Sequence, residues 1–230
     1  MSGVPRPAPP GRTLIALLAA AALCLVLAGT ALGGATKGGA EFREATPRQA
    51  ALTAGWWNWV AGFPAASSPL TSEGCDTTQT GHVWFLAGSA SSDPVRRRCT
   101  VPTGTRLVVP VVNTLCSPVF GDPPAVEACT ADLAANIDLP SLRAWVDGRP
   151  VPIVHATTGV FTLTAVAGTP FATPQAPDGG TGPAAAEGYW VFVRPLPPGR
   201  HRIRVTGTAF GGAFAQDVRY CLTVVPRGKA

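Results

Sequence analysis

Arg200, Arg202 and Arg204 alternate with His201, Ile203 and Val205 along one short run. Successive side chains of an extended strand point to opposite faces, so the three arginines share one face and the apolar residues the other. Guanidinium forks grip anionic groups bidentately. The stripe therefore marks a candidate site for an anionic polymer or a carboxylated ligand, with Arg194 and Arg219 placed to flank it from neighbouring strands. The plainer alternative is a solvated outer sheet face. Arg96-Arg97-Arg98, just before Cys99, reads as a solvated loop or a protease target rather than a binding site.

Signatures of catalysis are missing. The chain has no H-E-x-x-H, no G-x-S-x-G, no phosphate-binding glycine loop and no dinucleotide glycine pattern. His82, His155 and His201 are each isolated in sequence, and their spacing favours no metal site. Asp76, Asp122, Asp132 and Asp147 sit beside turns or caps, where aspartate serves the backbone. Catalytic residues thus stay unknown, and no cofactor or metal is expected. A site assembled from dispersed residues, around His82, His201 and an acid, is what an extracellular hydrolase would need.

Cysteine usage speaks to compartment. Setting Cys24 aside leaves Cys75, Cys99, Cys116, Cys129 and Cys221. No C-x-x-C pair and no neighbouring histidine supports zinc. In an oxidising compartment the expectation is pairing, and the two local pairings, Cys75–Cys99 and Cys116–Cys129, are favoured. Each would contribute about 3 kcal/mol by restricting the unfolded chain, although four cysteines permit other connectivities. Cys221 is then unpaired and expected as a small buried hydrophobe, with a reactive thiol as the alternative.

The compartment itself is written at the N-terminus. A proline-rich start carrying Arg6 and Arg12 precedes an uncharged apolar run over residues 14–32, followed by small residues around Gly33 to Ala35. That is the profile of a secretory signal, with an uncleaved membrane anchor as the alternative. Residues 1–35 are assigned to it, 36–44 to a flexible leader and 45–226 to a single domain. The rest is expected outside the cytoplasm, extracellular or at the cell surface, touching a membrane only through an uncleaved N-terminus. Removing Arg6 and Arg12 from 18 basic residues leaves 16 against 13 acidic, a net +3. So mild an excess does not argue for nucleic acid.

Positioning falls to strands. Thr46, Pro47 and Gln49 spell a capping box, opening a helix that Gly62 and Pro64 end. Leu52, Trp56, Trp59 and Phe63 are its expected apolar stripe, packed on a sheet. Strands are expected at 82–87, 106–112 (with Pro110 marking an edge or bulge), 142–146, 151–154, 160–166, 189–194, 201–205 and 218–224. Asp147-Gly148 reads as a hairpin turn, and residues 130–138 as one or two helical turns. The Pro/Gly-rich stretch 168–188 reads as a disordered loop. Together these predict a mostly β fold: an antiparallel β-sandwich, jelly-roll or Ig-like, with one N-terminal amphipathic helix packed on it.

Several strings occur together: Trp56-Trp57-x-Trp59, Gly81-His82-Val83-Trp84-Phe85-Leu86-Ala87-Gly88, Cys99-Thr100-Val101-Pro102, and Gly188-Tyr189-Trp190 through Leu196-Pro197-Pro198-Gly199-x-His201. In this combination the chain resembles a family of uncharacterised secreted bacterial β-rich proteins of actinobacterial type, over residues 56–224. The resemblance implies export and a β fold, and carries no activity. The reading is a non-catalytic binding or structural module with a cell-wall polymer or glycan as partner.

Overall fold

The computed structural model describes residues 42–74, 78–174, 176 and 178–228. The expected signal segment, most of the expected leader and Cys75 lie outside the described residues. In chain order the elements are β1 (Arg43–Glu44), α1 (Pro47–Ala61), β2 (Val83–Phe85), β3 (Val95–Pro102), β4 (Arg106–Cys116), α2 (Val126–Ala134) and β5 (Ile137–Val146). There follow β6 (Arg149–Pro150), β7 (Val154–Ala165), β8 (Gly180–Val193), β9 (Gly199–Ala209) and β10 (Phe214–Val225). Among the described residues no helix is long and apolar enough to cross a membrane.

The strands form two five-stranded sheets, ordered β1-β7-β8-β4-β2 and β3-β10-β9-β5-β6. The fold is mostly β, as expected, but neither sheet is purely antiparallel. Strands β1, β2 and β3 each lie at a sheet edge and run parallel to β7, β4 and β10. None of the three reaches its partner through a tight hairpin, the connection that would impose antiparallel pairing.

One apolar cluster joins the sheets. Val109, Val111 and Val191 of the first sheet share it with Val205, Tyr220 and Leu222 of the second. A second cluster covers the opposite face of the first sheet, where α1 brings Trp56, Trp57, Val60 and Ala61 onto Val108 and Trp190. Strand β4 is consequently buried on both faces, which is why its sequence is a continuous apolar run. Its register slips between Pro110 and Val112. The buried amide of Gln216, reaching across from β10, donates to the carbonyls of Pro110 and Val111 at this bulge.

Helix α1 starts as its sequence dictates, with both arms of the capping box formed and Gly62 at its C-cap. Its buried face is rotated from the expected stripe. Thr53, Trp56, Trp57, Val60 and Ala61 point inward, while Trp59 is only partly buried against Phe85. The helix also seals a sheet edge. The Asn58 carboxamide donates to Thr162 O at 3.1 Å and accepts from Thr164 N at 2.9 Å, standing in for a missing strand neighbour of β7.

The largest correction concerns residues 168–188. Instead of a disordered loop through to Gly188, β8 begins at Gly180 and runs between β4 and β7. Its weak strand propensity is overridden by packing. Ala184 and Ala186 lie beneath the α1 cluster, and Ala185 meets Val126 and Cys116 beside α2. Small side chains there let helices approach both faces of the sheet.

Three smaller expectations also shift. Arg43–Glu44, inside the expected leader, pair with β7 as β1, and Phe42 packs edge-on against Tyr189 at 4.7 Å. Strand β2 ends at Phe85, and the next three carbonyls are buried without strand partners. Side chains from three elements satisfy them: Trp56 Nε1 to Leu86 O at 2.9 Å, Tyr220 Oη to Ala87 O at 2.8 Å, and Arg97 Nη2 to Gly88 O. The Asp147-Gly148 turn forms, both residues at positive φ (50° and 77°), but its return arm is only Arg149–Pro150 before the chain crosses to β7 in the other sheet.

Candidate functional site

The second sheet turns one face to the core and the other outward. Cys99, Val101, Ile203, Val205, Tyr220 and Leu222 point in, so alternation sends Arg96, Arg98, Arg200, Arg202, Arg204 and Arg219 out. Register sets these residues side by side across three strands. Arg96 of β3, Arg219 of β10 and Arg204 of β9 form one row. Arg98, Cys221 and Arg202 form the next, and Thr100, Thr223 and Arg200 the third. A groove of about 940 Å³ follows these rows, with Cys221 and Thr223 on its floor.

The three arginines expected to act together do share the face, but they are not equivalent. Arg204 is tied to Asp217 through two hydrogen bonds of 2.9 Å, and its guanidinium lies 5.5 Å from the centroid of the Trp145 ring. That bidentate contact, against burial that works the other way, raises the pKa of Arg204 and lowers that of Asp217. Arg219 stands 3.6 Å from the same carboxylate. Among the described residues, the side chains of Arg200 and Arg202 have no hydrogen-bond or ion-pair partner. Arg194, expected as a flank, belongs to the first sheet's end of the chain, just after β8, and does not join the face.

The Arg96-Arg97-Arg98 run is not a solvated loop. It lies in β3, where alternation splits it. Arg96 and Arg98 join the outer face, adding a second arginine-bearing strand that sequence reasoning set aside. Arg97 turns inward, fully buried, and its guanidinium binds the carbonyls of Leu70, Ser72 and Gly88. The exposed Arg98–Glu73 contact of 4.0 Å contributes little.

Cysteine placement is mixed. Cys116 and Cys129 form a disulfide with a Cα–Cα distance of 6.1 Å. Cys99 is disulfide-bonded as well, and Cys75, its expected partner, lies outside the described residues. Cys221 is unpaired, as expected, yet it is not in the core: it is half-exposed on the arginine face, with Arg96 Nε 3.4 Å from its sulfur. Its odd position in β10 puts it opposite to buried Tyr220 and Leu222. Cys116, Asp122 and Cys129 are close enough to suggest a metal site, but both sulfurs are spent on their mutual bond.

The histidines occupy separate clusters. His201 places Nδ1 2.7 Å from Asp147 and Nε2 2.9 Å from Pro197 O, while Asp147 also accepts from Arg202 N. Burial alone would lower the His201 pKa, but these contacts outweigh it and raise the value. His155 lies between Glu44 at 3.0 Å and Glu187 at 2.9 Å, stacked on Tyr189. His82 Nδ1 meets Arg227 at 2.9 Å. His201 and His155 thus have both ring nitrogens in contact with oxygen atoms of the fold, leaving neither nitrogen open toward a substrate.

No protein-family model and no curated protein matches the chain. Among solved structures, the solution structure of amebosin is similar at 11% identity over 64% of this chain and 100% of its own, with a TM-score of 0.20. A likeness that slight bears on neither fold nor function.

Proposed function

We propose that this chain is an exported, non-catalytic binding module, secreted or held at the cell surface, that binds anionic polymers on the outer face of its second sheet. The sheets are read as a β-sandwich around their shared apolar cluster. The observation that carries the reading is the register aligning Arg96 and Arg98 of β3 with Arg204 and Arg202 of β9 across β10. Asp217 and Asp147 on this face are already engaged, and Glu73 offers Arg98 only an exposed contact of 4.0 Å. The unanswered charge is therefore positive, and complementary polymers gain from counterion release on binding it. Export is supported by the apolar run at residues 14–32 and by the disulfide chemistry, which persists in oxidising compartments.

The hydrolase alternative gains nothing from the histidines, because the histidine–carboxylate contact beside the groove spends both nitrogens of His201. The direct test is retention of the exported protein on immobilised anionic and neutral polymers, with and without the combined substitution of Arg200, Arg202 and Arg204 by alanine. Retention on anionic polymers alone, weakened by salt and by the triple substitution, is expected. Indifference to the substitution, or no retention anywhere, would overturn the reading.

A further inference from the structure

The arginine face has a shape as well as a charge. Strands β3 and β9 flank β10, so their backbones lie about 10 Å apart, two inter-strand spacings. Each carries arginines at alternate positions, roughly 7 Å apart along the strand. Between them β10 contributes only small side chains, Cys221 and Thr223, before Arg219 closes one end. The result is a trough with two cationic walls, wide enough for one extended chain lying along the strand direction.

The walls offer guanidinium donors and little else. Recognition of sugar hydroxyls needs free acceptors and open aromatic faces, and both are scarce here. Asp147 and Asp217 are committed, and Trp145, the aromatic ring at this face, already has the Arg204 guanidinium 5.5 Å from its centroid. A base stacking there would compete with that cation for the platform on which single-stranded nucleic acids depend. A group with acceptor oxygens on two sides can bridge wall to wall, as a phosphodiester does. Spacing agrees: a three-carbon diol puts six single bonds between successive phosphorus atoms. By the bond lengths that let three backbone bonds span about 3.4 Å, six span about 7 Å.

We infer that the trough between β3 and β9 binds a linear phosphodiester polymer with a short alkanediol repeat, held by Arg96, Arg98, Arg200 and Arg202. This rests on the reading of the face as a polyanion site and specifies its ligand class. Successive phosphates meet successive arginine rows, the middle one bridging Arg98 and Arg202, and Thr223 on the floor is close enough to donate its hydroxyl to the chain.

The test is titration of the exported protein with fluorescent poly(glycerol phosphate), beside polygalacturonate, a thymidine oligonucleotide and phosphatidylglycerol vesicles, at several salt concentrations. Poly(glycerol phosphate) is expected to bind at least about tenfold more tightly than the other three. Its log–log salt slope should be near −2, the value for about three neutralised phosphates on a flexible strand, one for each arginine row. Arg98→Ala with Arg202→Ala empties the middle row and should reduce that slope by roughly 0.7. Thr223→Glu, a surface change on the floor, should abolish binding while leaving the urea midpoint unchanged. Equal or tighter binding of polygalacturonate, oligonucleotide or vesicles would overturn the ligand class and leave polyanion binding standing. Failure of all four would overturn both.

Discussion

Arg96 of β3 directs its Nε at the sulfur of Cys221 on the neighbouring strand, 3.4 Å away, on the solvent side of the second sheet. A thiol in that position is reachable, and the arginines around it concentrate anionic reagents. In native protein prepared without residues 1–35, and so without Cys24, the dianionic disulfide reagent DTNB should titrate one thiol per chain. The rate should fall several-fold in high salt and on substituting Arg96 and Arg98 by alanine. A thiol that reacts only after denaturation would return Cys221 to the core.

The His201–Asp147 contact links stability to pH. The His201 pKa is raised, so its contribution is complete below the ordinary histidine value near 6.5 and is lost as pH climbs through the higher folded value. Asp147 is displaced downward. Burial opposes this, but hydrogen bonds from His201 and Arg202 N prevail, so its contribution is present above the ordinary carboxylate value and lost on acidification. Thermal midpoints should therefore decline from pH 6 toward pH 8.5 more steeply in the native sequence than in His201→Gln. Parallel profiles for the two would contradict this assignment.

Arg97 is a buried cation without a buried acid, held by three carbonyls. Replacing a buried ion pair by apolar residues is often neutral, but here the acceptors would remain and go unsatisfied. Arg97→Met should cost about 2–4 kcal/mol in urea denaturation, at the going rate for unsatisfied buried acceptors. A neutral or stabilising result would mean that the carbonyls find water.

Gly207 of β9 packs against Val112 of the other sheet. A Cβ there would stand 2.6 Å from Leu142 Cδ2 and 2.6 Å from Val112 Cγ2. Gly207→Ala should lower stability by roughly 1–3 kcal/mol through overpacking, although it raises strand propensity. Gly104→Ala, with open space but φ +77, separates steric crowding from backbone strain. Its loss should be smaller and insensitive to a companion Leu142→Ala.

Local chemistry was the legible part of this sequence. The Thr46–Gln49 cap, the Asp147-Gly148 turn, the Pro110 bulge and the Cys116–Cys129 bridge each follow from neighbours in the chain. Features set by the partner across the sheet were not. The alanines of β8 look like loop until two helices need their small size. The alternation of Arg96, Arg97 and Arg98 was visible in principle, since Cys99 and Val101 continue the same inward phase, but charge density masked it. Half of the arginine face was likewise readable from Arg200, Arg202 and Arg204. The other half depends on a parallel pairing between β3 and β10, separated by more than a hundred residues, that no local pattern encodes.

Location of the ligand is what most directly tests the account. Arginine Nε–Hε signals of the protein can be followed by nitrogen-edited NMR while short polyphosphate chains are added. Arg96, Arg98, Arg200 and Arg202 should shift together and saturate together, with buried Arg97 and distant Arg48 unmoved. Shifts confined to arginines off this face, or none at all, would contradict it.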